Sequence, residues 1–483
     1  MKAYYWIALL ALAELLWGQP PDTVWTRDYY TGQNQVFTAL CNDEFNNYFI
    51  TGYCQPADGN SDVLLIKINE FGDTVSTRTF GGLQNDGATD ICQNINGGYC
   101  LAGYTTIPEE ANQDIYLVGF DSDGNWQWDR HYGADRFDGA NSIQPTNDGG
   151  YIVAGAMTTS GTNGIDFYIL RTDATGDTLW TKTVGYAAAS RDVAYACCET
   201  SDGGFLAAGS ATVSDISLLQ NPFVVKLNAS GDTSWTRRYA YATTHEIIGM
   251  AKGRDEEYLL VGYAMAETGY SDCFFMKIDS TGNLIWQRSY GFPLSREQVS
   301  RVASTNDGGW IACGYAEEPF GDRTFALLVR MNSDGDTLWT KILGQSNLTV
   351  AADVISTVSN SFLVCGYQFS FESPAYHAYA ARLESETSSL YPISQTRNFH
   401  LDQNYPNPFN AATTLSFSLS HTSPVSLSVF NLLGQAVYRA ELGMLNAGLH
   451  RQVFDASELP SGVYLARVQA GEQSQMRKMV LLK

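Results

Sequence analysis

This chain of 483 residues lacks the marks of several protein classes. It has no CxxC pair, which argues against a structural zinc site. It has no GxSxG elbow, HExxH, P-loop or GxGxxG after a strand, so the commonest hydrolase, zinc-protease and nucleotide signatures are missing. Histidine is scarce, at six, and His377, His400 and His421 lie near or beyond the end of the repeated region. Positive charge is also scarce, with 29 Lys and Arg against 51 Asp and Glu, for a net charge of −22. Six of the basic and four of the acidic residues fall after position 403, so the acidity belongs to the preceding part. An acidic body without a basic stripe speaks against nucleic acid as a partner. No helical period of useful length appears. Beyond the N-terminus, no apolar run approaches the roughly 20 residues that span a bilayer, so no transmembrane segment is expected.

The composition is globular, with 44% hydrophobic, 17% charged and 13% aromatic residues. The opening "MKAYYWIALLALAELLWGQP" reads as a signal peptide over residues 1–18. Lys2 supplies the positive end, Tyr4 to Leu16 the apolar stretch and Gly18 the small residue before the cut. An exported chain is permitted disulfides. Of the nine cysteines, most fall in apolar strand patterns such as "WIACGY" and read as small buried hydrophobes. Cys92 and Cys100, flanking one hairpin, are the best candidate pair.

The dominant signal is a period. Apolar runs ending in Gly recur at Gly52, Gly103, Gly155, Gly209, Gly262, Gly314 and Gly366, spaced 51 to 54 residues apart. Each unit holds about four apolar runs of five to eight residues, rich in aromatic and branched side chains. "NDGG" or "SDGG" separates the first two, and "DATGD" or "NSDGD" the last two. Gly and Asn suit the positive-φ positions of hairpins, so the runs are antiparallel strands. Four such strands per unit, repeated radially, describe an all-β, seven-bladed β-propeller over 19–385.

The fourth-strand phrase "GDTLWTK" is missing after Leu383, yet "DTVWTRDYY" stands before the first unit. The N-terminal strand, 22–30, is therefore expected to complete the last blade and close the ring, removing an open sheet edge. The fourth-strand Trp (Trp25, Trp128, Trp180, Trp235, Trp286, Trp339, with Ser76 the exception) reads as packing between blades.

Two sets of side chains recur once per unit. Seventeen residues before each marker Gly stand Gln35, Asp86, Asp138, Asp192, His245, Glu297 and Thr349. The third strand opens with Asp62, Asp114, Asp166, Asn221, Asp272 or Asp322. Both positions belong to the same end of the blades, so one face is expected to carry an acidic surface. Its candidate binding residues are Asp62, Asp86, Asp114, Asp138, Asp166, Asp192, Asp272 and Glu297. Asp commonly caps turn amides, and that role stands beside the binding one. No organic cofactor is called for; the metal such carboxylates would take is Ca²⁺. "DSDGN" (121–125) lacks the downstream Glu of a Ca²⁺ loop and reads as a turn. The connections between second and third strands vary most and lie on this same face, where binding commonly resides.

After a polar linker, 386–403, the period ends. Residues 404–483 contain alternating runs such as "VSLSVF" and "GVYLARVQA", which predict a small β-sandwich. "NYPNPFN" (404–410), "VSLSVFNLLGQ" (425–435), "FDASELPSGVYLARV" (454–468) and the terminal "RKMVLLK" (477–483) together resemble the C-terminal sorting domain of type IX secretion cargo. The resemblance implies an outer-membrane secretion machinery as partner and a secreted or cell-surface location, reached through the periplasm. Gly462, Lys478, Met479, Val480, Leu481, Leu482 and Lys483 would carry the sorting signal. The repeats are similar to bacterial extracellular β-propeller repeats. The favoured function is a binding or interaction module for a glycan or surface protein. The competing readings are a secreted enzyme acting on polysaccharide and a purely structural surface protein.

Overall fold

A computed structural model describes residues 20–385 and 399–481, apart from 44–45, 57–58, 108–111, 134–136, 159–163, 186–189, 215–216, 267–268, 292–294, 319–320, 345, 358, 402–403, 405–408, 420–421, 432–434, 447 and 472. The segment expected to be a signal peptide, 1–18, and most of the expected linker, 386–403, lie outside the described residues. The chain divides into two compact units, Met1–Glu386 and Thr387–Lys483. Both are built of strands, with a single 3₁₀ turn at Arg254–Glu256.

In the larger unit, Asn34–Asn42, Tyr48–Gln55, Asp62–Ile68 and Thr74–Phe80 form an antiparallel sheet in sequence order. The same order recurs in four-stranded sheets over 86–132, 138–184, 193–238 and 245–290. The remaining strands form one eight-stranded sheet. Within it, the four strands of 297–343 join those of 348–383 by one parallel pair, Thr324 with Leu348. The strand Thr23–Asp28 pairs antiparallel with Ser373–Leu383, Asp28 facing Tyr379. Each first strand also touches the first strand of the next unit, and Leu348–Ser356 touches Asn34–Asn42.

The marker glycines have a steric cause. A Cβ on Gly103 would lie 2.0 Å from the Gly87 carbonyl oxygen, and the other six markers stand equally close to their first strands. Beside each marker the first strand bulges, as between Ala88 and Asp90. The bulge bends the strand and re-aims its side chains locally.

The turn between third and fourth strands shows how units join. Gly72 holds φ +81°, and a Cβ there would lie 2.9 Å from the ring of Trp25. Trp25 donates its indole N–H to the Glu70 carbonyl, and Tyr29 its hydroxyl to the Gly72 carbonyl (3.1 and 2.8 Å). Trp128 stands likewise under Gly176, Trp180 under Gly231, Trp235 under Gly282 and Trp286 under Gly335. Tyr132, Tyr239 and Tyr290 repeat the hydroxyl bond. The tryptophans pack between units, as expected, and Thr23–Asp28 makes on the first unit the contacts that other fourth strands make on the next.

The "DGG" hairpins carry a second repeated device. Asp148 accepts the Gly150 amide and pairs with Arg171 of the third strand. Asp202 with Lys226, and Asp307 with Arg330, do the same.

All nine cysteines are free thiols, eight of them buried and Cys198 half-buried. Cys92 and Cys100 face each other across the first two strands of their sheet, but no disulfide joins them. This corrects the sequence expectation: each lies in an apolar core, where the thiol packs as a small hydrophobe.

In the smaller unit, Phe399–Leu401, Ala412–Leu419 and Gly448–Asp455 form one sheet. Ala436–Leu445, Ser423–Asn431, Gly462–Ala470 and Gln473–Leu481 form the other. Both supply one core, including Leu415, Phe417, Leu427, Val429, Phe454, Met479 and Leu481. The alternation of "VSLSVF" is realised, with Val425, Leu427 and Val429 buried.

Two outcomes test this architecture. Deleting residues 19–31 uncovers the edge of Ser373–Leu383 and strips Trp25 and Tyr29 from the first unit. The melting temperature is expected to fall by roughly 10 °C or more in one cooperative transition; an unchanged temperature in calorimetry would contradict it. Alkylation followed by mass spectrometry should modify at most Cys198 in the native chain and all nine thiols in denaturant.

Candidate functional site

Two pairs of the predicted acidic residues meet across successive units, Asp62 with Asp86 and Asp272 with Glu297. Asp86, Asp138, Asp192 and Glu297 are buried, and Asp62, Asp114, Asp166 and Asp272 half-buried. At Gly81, just past the fourth strand, a Cβ would lie 2.3 Å from Asp62 Oδ1 and 2.7 Å from Asp86 Oδ2. At Gly291 it would lie 2.0 Å from Asp272 Oδ1 and 2.9 Å from Glu297 Oε2. These glycines make room for carboxylates that hold the crossing chain. Asp86 Oδ2 accepts the Gly82 amide (2.6 Å), Asp138 Oδ1 that of Thr158 and Asp192 Oδ1 that of Thr212 (both 3.0 Å). Asp192 Oδ2 also accepts the Ser190 hydroxyl at 2.9 Å. In the fourth unit Asn221 takes the same part for Tyr241.

Among the described residues no group of three or more His, Cys, Asp or Glu stands ready to hold a metal ion. Ca²⁺ takes six to eight oxygens, and carboxylates already engaged by amides supply few. In "DSDGN", Asp121 Oδ1 accepts the amides of Asp123 and Asn125, so this segment is a turn. A shallow concavity of about 620 Å³ at the opposite ends of the sheets, lined by Asp43, Gln93, Tyr99 and Asp121, includes none of the predicted site residues.

A different cluster lies between the first strands. The residue after each bulge is small in four units, Ala39, Ser142, Ala196 and Gly249. In the others it is Asp90, Arg301 and Asp353. Asp90 Oδ2 accepts the Ile143 amide of the next unit, and Oδ1 accepts its neighbour Ile91 (2.9 and 3.0 Å). Asp353 repeats this on Leu40 and Val354 (2.9 and 2.8 Å). Arg301 of the sixth unit donates to the carbonyls of Thr89 and Asn141 in the second and third, both at 3.2 Å. Burial pushes the Asp353 carboxyl up to about 7, against the opposing charge of Arg301 and with the help of Asp90. Asp90 is raised too, again by burial, with Arg301 working the other way. Sequence reasoning missed this cluster. Its signal was three charges at a position that is small or Ser in every other unit.

In the smaller unit, Gly462 and Lys478 are exposed and Val480 is half-buried. Met479 and Leu481 are fully buried in the core, and Leu482 and Lys483 lie outside the described residues. Among the described residues expected to carry the sorting signal, Gly462 and Lys478 are the exposed ones.

The larger unit is an all-β repeat array of propeller-like sheets. Residues 403–482 match the secretion system C-terminal sorting domain family. The chain therefore carries a type IX sorting domain and is an exported protein, secreted or held at the cell surface. No described helix is long and apolar enough to cross a membrane. No curated protein matches the sequence. Solved structures similar to the chain include a protein of unknown function from Dyadobacter fermentans DSM 18053, 13% identical, covering 75% of this chain and 98% of that one (TM-score 0.46). The polysaccharide lyase Uly1 is 10% identical, with 76% and 93% covered (TM-score 0.47). The β-propeller domain of the Trilobed protease from Pyrococcus furiosus, described as having an open velcro topology, is 10% identical, with 71% and 93% covered (TM-score 0.41).

Asp353 gives a pH signature. Its folded value, about 7, lies above the unfolded value of about 3.9, so the folded state holds the extra proton between them. The stability it contributes is present below about pH 4 and is lost as pH rises through 7. Asp353→Ala should therefore cost more at pH 5 than at pH 8, by about 2 kcal/mol. Parallel wild-type and variant curves in denaturant titrations would show that the carboxyl titrates normally.

Proposed function

We propose that the seven units are the blades of a closed β-propeller, with Thr23–Asp28 as the fourth strand of the last. The body would span residues 19–385, after a signal peptide at 1–18 and before a linker from 386 that ends where the strand Phe399–Leu401 joins the smaller unit. We further propose that it is a binding module, delivered to the cell exterior by its sorting domain, that engages a partner through the face carrying the second-to-third and inter-unit connections.

One observation carries the reading. Large apolar side chains stand exposed on that face: Leu83 (83%), Phe137 (68%) and Phe371 (69%), with Leu219, Tyr30 and Tyr376. The other ends of the sheets expose Phe71 and Ile95 in turns and Val24, Val75, Trp126, Leu179, Leu284 and Ile285 at the starts of the outer strands, mostly one repeated position before the tryptophan, whereas the loop-rich face exposes its side chains at positions particular to single units. Exposed apolar side chains gathered on one face mark interaction surfaces. Tyr30 stacks on His377 at 3.9 Å, so these rings are held in place. The acidic residues take a supporting role here, fixing the connections that present these side chains, and Ca²⁺ is no part of the proposal.

The test is co-sedimentation of the full chain with insoluble cell-envelope fragments. The triple variant Leu83→Ser, Phe137→Ser, Phe371→Ser should lower the bound fraction at least fivefold and leave the melting temperature within about 2 °C, because all three side chains are exposed. Equal binding by variant and wild type would remove this face from consideration.

A further inference from the structure

The residue after the marker Gly is tyrosine in five units that follow one another around the proposed ring: Tyr263, Tyr315, Tyr367, Tyr53 and Tyr104. The third and fourth units have Ala156 and Ser210 there instead. All five tyrosines are half-buried. Neighbours stand near enough that ionising one would raise the next: Tyr104 and Tyr367 would act on Tyr53, Tyr367 on Tyr315, and Tyr315 on Tyr263. They form one continuous arc, unbroken where the last unit meets the first.

Register fixes the height of the arc. Tyr104 stands opposite Gly87, three residues from Asp90 along the first strand and towards the loop-rich face. The arc therefore surrounds the mouth of the enclosed space, with Asp90, Arg301 and Asp353 roughly 7–10 Å below it. The arc and this floor give apolar ring faces above and fixed donors and acceptors beneath.

We propose that the tyrosine arc binds a neutral polysaccharide, several sugar rings at a time, at the mouth of the propeller. The inference rests on the reading of the loop-rich face as a binding face, and names its ligand. The chemistry selects the class. A sugar ring offers C–H groups on its faces and hydroxyls at its rim. A phenol offers an apolar face and a hydroxyl that both donates and accepts. Burial raises all five phenols above their usual range, so they remain neutral at physiological pH. Beside the arc, Glu246 and Glu317 outnumber Arg296, and the whole chain carries −22. A polyanion would be repelled. The spread of the arc over five units suits an extended glycan better than a single sugar.

The probe is affinity electrophoresis of the full chain in gels containing laminarin, galactomannan, xyloglucan or polygalacturonate. Retardation is expected in at least one neutral gel and none in polygalacturonate. The double variant Tyr315→Ala, Tyr367→Ala should weaken it at least tenfold. The double Phe variant keeps the ring faces and should lose about two- to fivefold, with both pairs checked for unchanged melting. Retardation by polygalacturonate alone would overturn the proposal, as would a neutral-gel shift untouched by the Ala pair. Sedimentation with envelope fragments but no retardation in any gel also overturns it, yet leaves the binding face standing. Loss of both overturns both.

Discussion

No sheet in the larger unit is complete by itself. Each leaves the turn between its third and fourth strands uncovered, and the preceding unit covers it. At Gly72, Gly176, Gly282 and Gly335 the cover is a tryptophan ring too close to allow a Cβ, with a tyrosine hydroxyl on the glycine carbonyl; Gly231 has the tryptophan, and Gly124, where Ser76 replaces it, is met by Phe49. Four strands with two apolar faces cannot bury both alone. A unit's outer strand therefore serves its neighbour as much as itself. Applied to the whole series, this leaves two unmatched ends, a bare turn at Gly72 and an open edge at Ser373–Leu383. Thr23–Asp28 meets both needs at once, through Trp25 and Tyr29 on one side and the strand pairing on the other. Asp353 on Leu40 and Arg382 on the Glu70 carbonyl add to the same junction. The junction thus uses the ordinary devices of the repeat.

What was legible in the sequence follows from this. The period, the hairpin turns and the displaced fourth strand could be read because backbone geometry dictates them. A positive-φ glycine under an indole leaves few alternatives, so the phrase recurs. The acidic positions recur for an equally local reason: Asp86 takes an amide of the crossing chain, Asp138 and Asp192 take amides at the ends of their own second strands, and Gly81, Gly133, Gly185 and Gly291 leave room for the carboxylates beside them. Recurrence alone could not separate that use from an open acidic surface. The Asp90, Arg301 and Asp353 cluster was invisible for the opposite reason. It is made by departures from the repeat, and only the fold brings the second, sixth and seventh units to one place. Cys92 and Cys100 show a further limit, since facing positions in a buried sheet need no bond between them.

The two kinds of position divide the work. Residues that recur in most units hold the frame. Residues that break the pattern, such as the tyrosines absent from two units, or Leu83, Phe137 and Phe371 in unequal connections, are free to make one side differ from the rest. A repeat array acquires an oriented site only by such breaks, because identical units present an identical ring. The high net charge fits this division: carboxylates spent on amides within the frame still leave the body acidic, which keeps it soluble and repels anionic partners.

Export adds an order to assembly. On the closed-propeller reading, Thr23–Asp28 finds its partner only when Ser373–Leu383 exists, so the final pairing spans almost the whole body. Such long-range closure is slow relative to local hairpins, and until then an edge and a bare turn invite association. The sorting domain lies beyond that last strand. Its strand Gln473–Leu481 buries Met479 and Leu481 in its own core and leaves Lys478 outside. On the proposal that these residues carry the sorting signal, its display requires the sandwich to fold, and the sandwich is made after every strand of the body. A chain that presents the signal has therefore already been given all it needs to close.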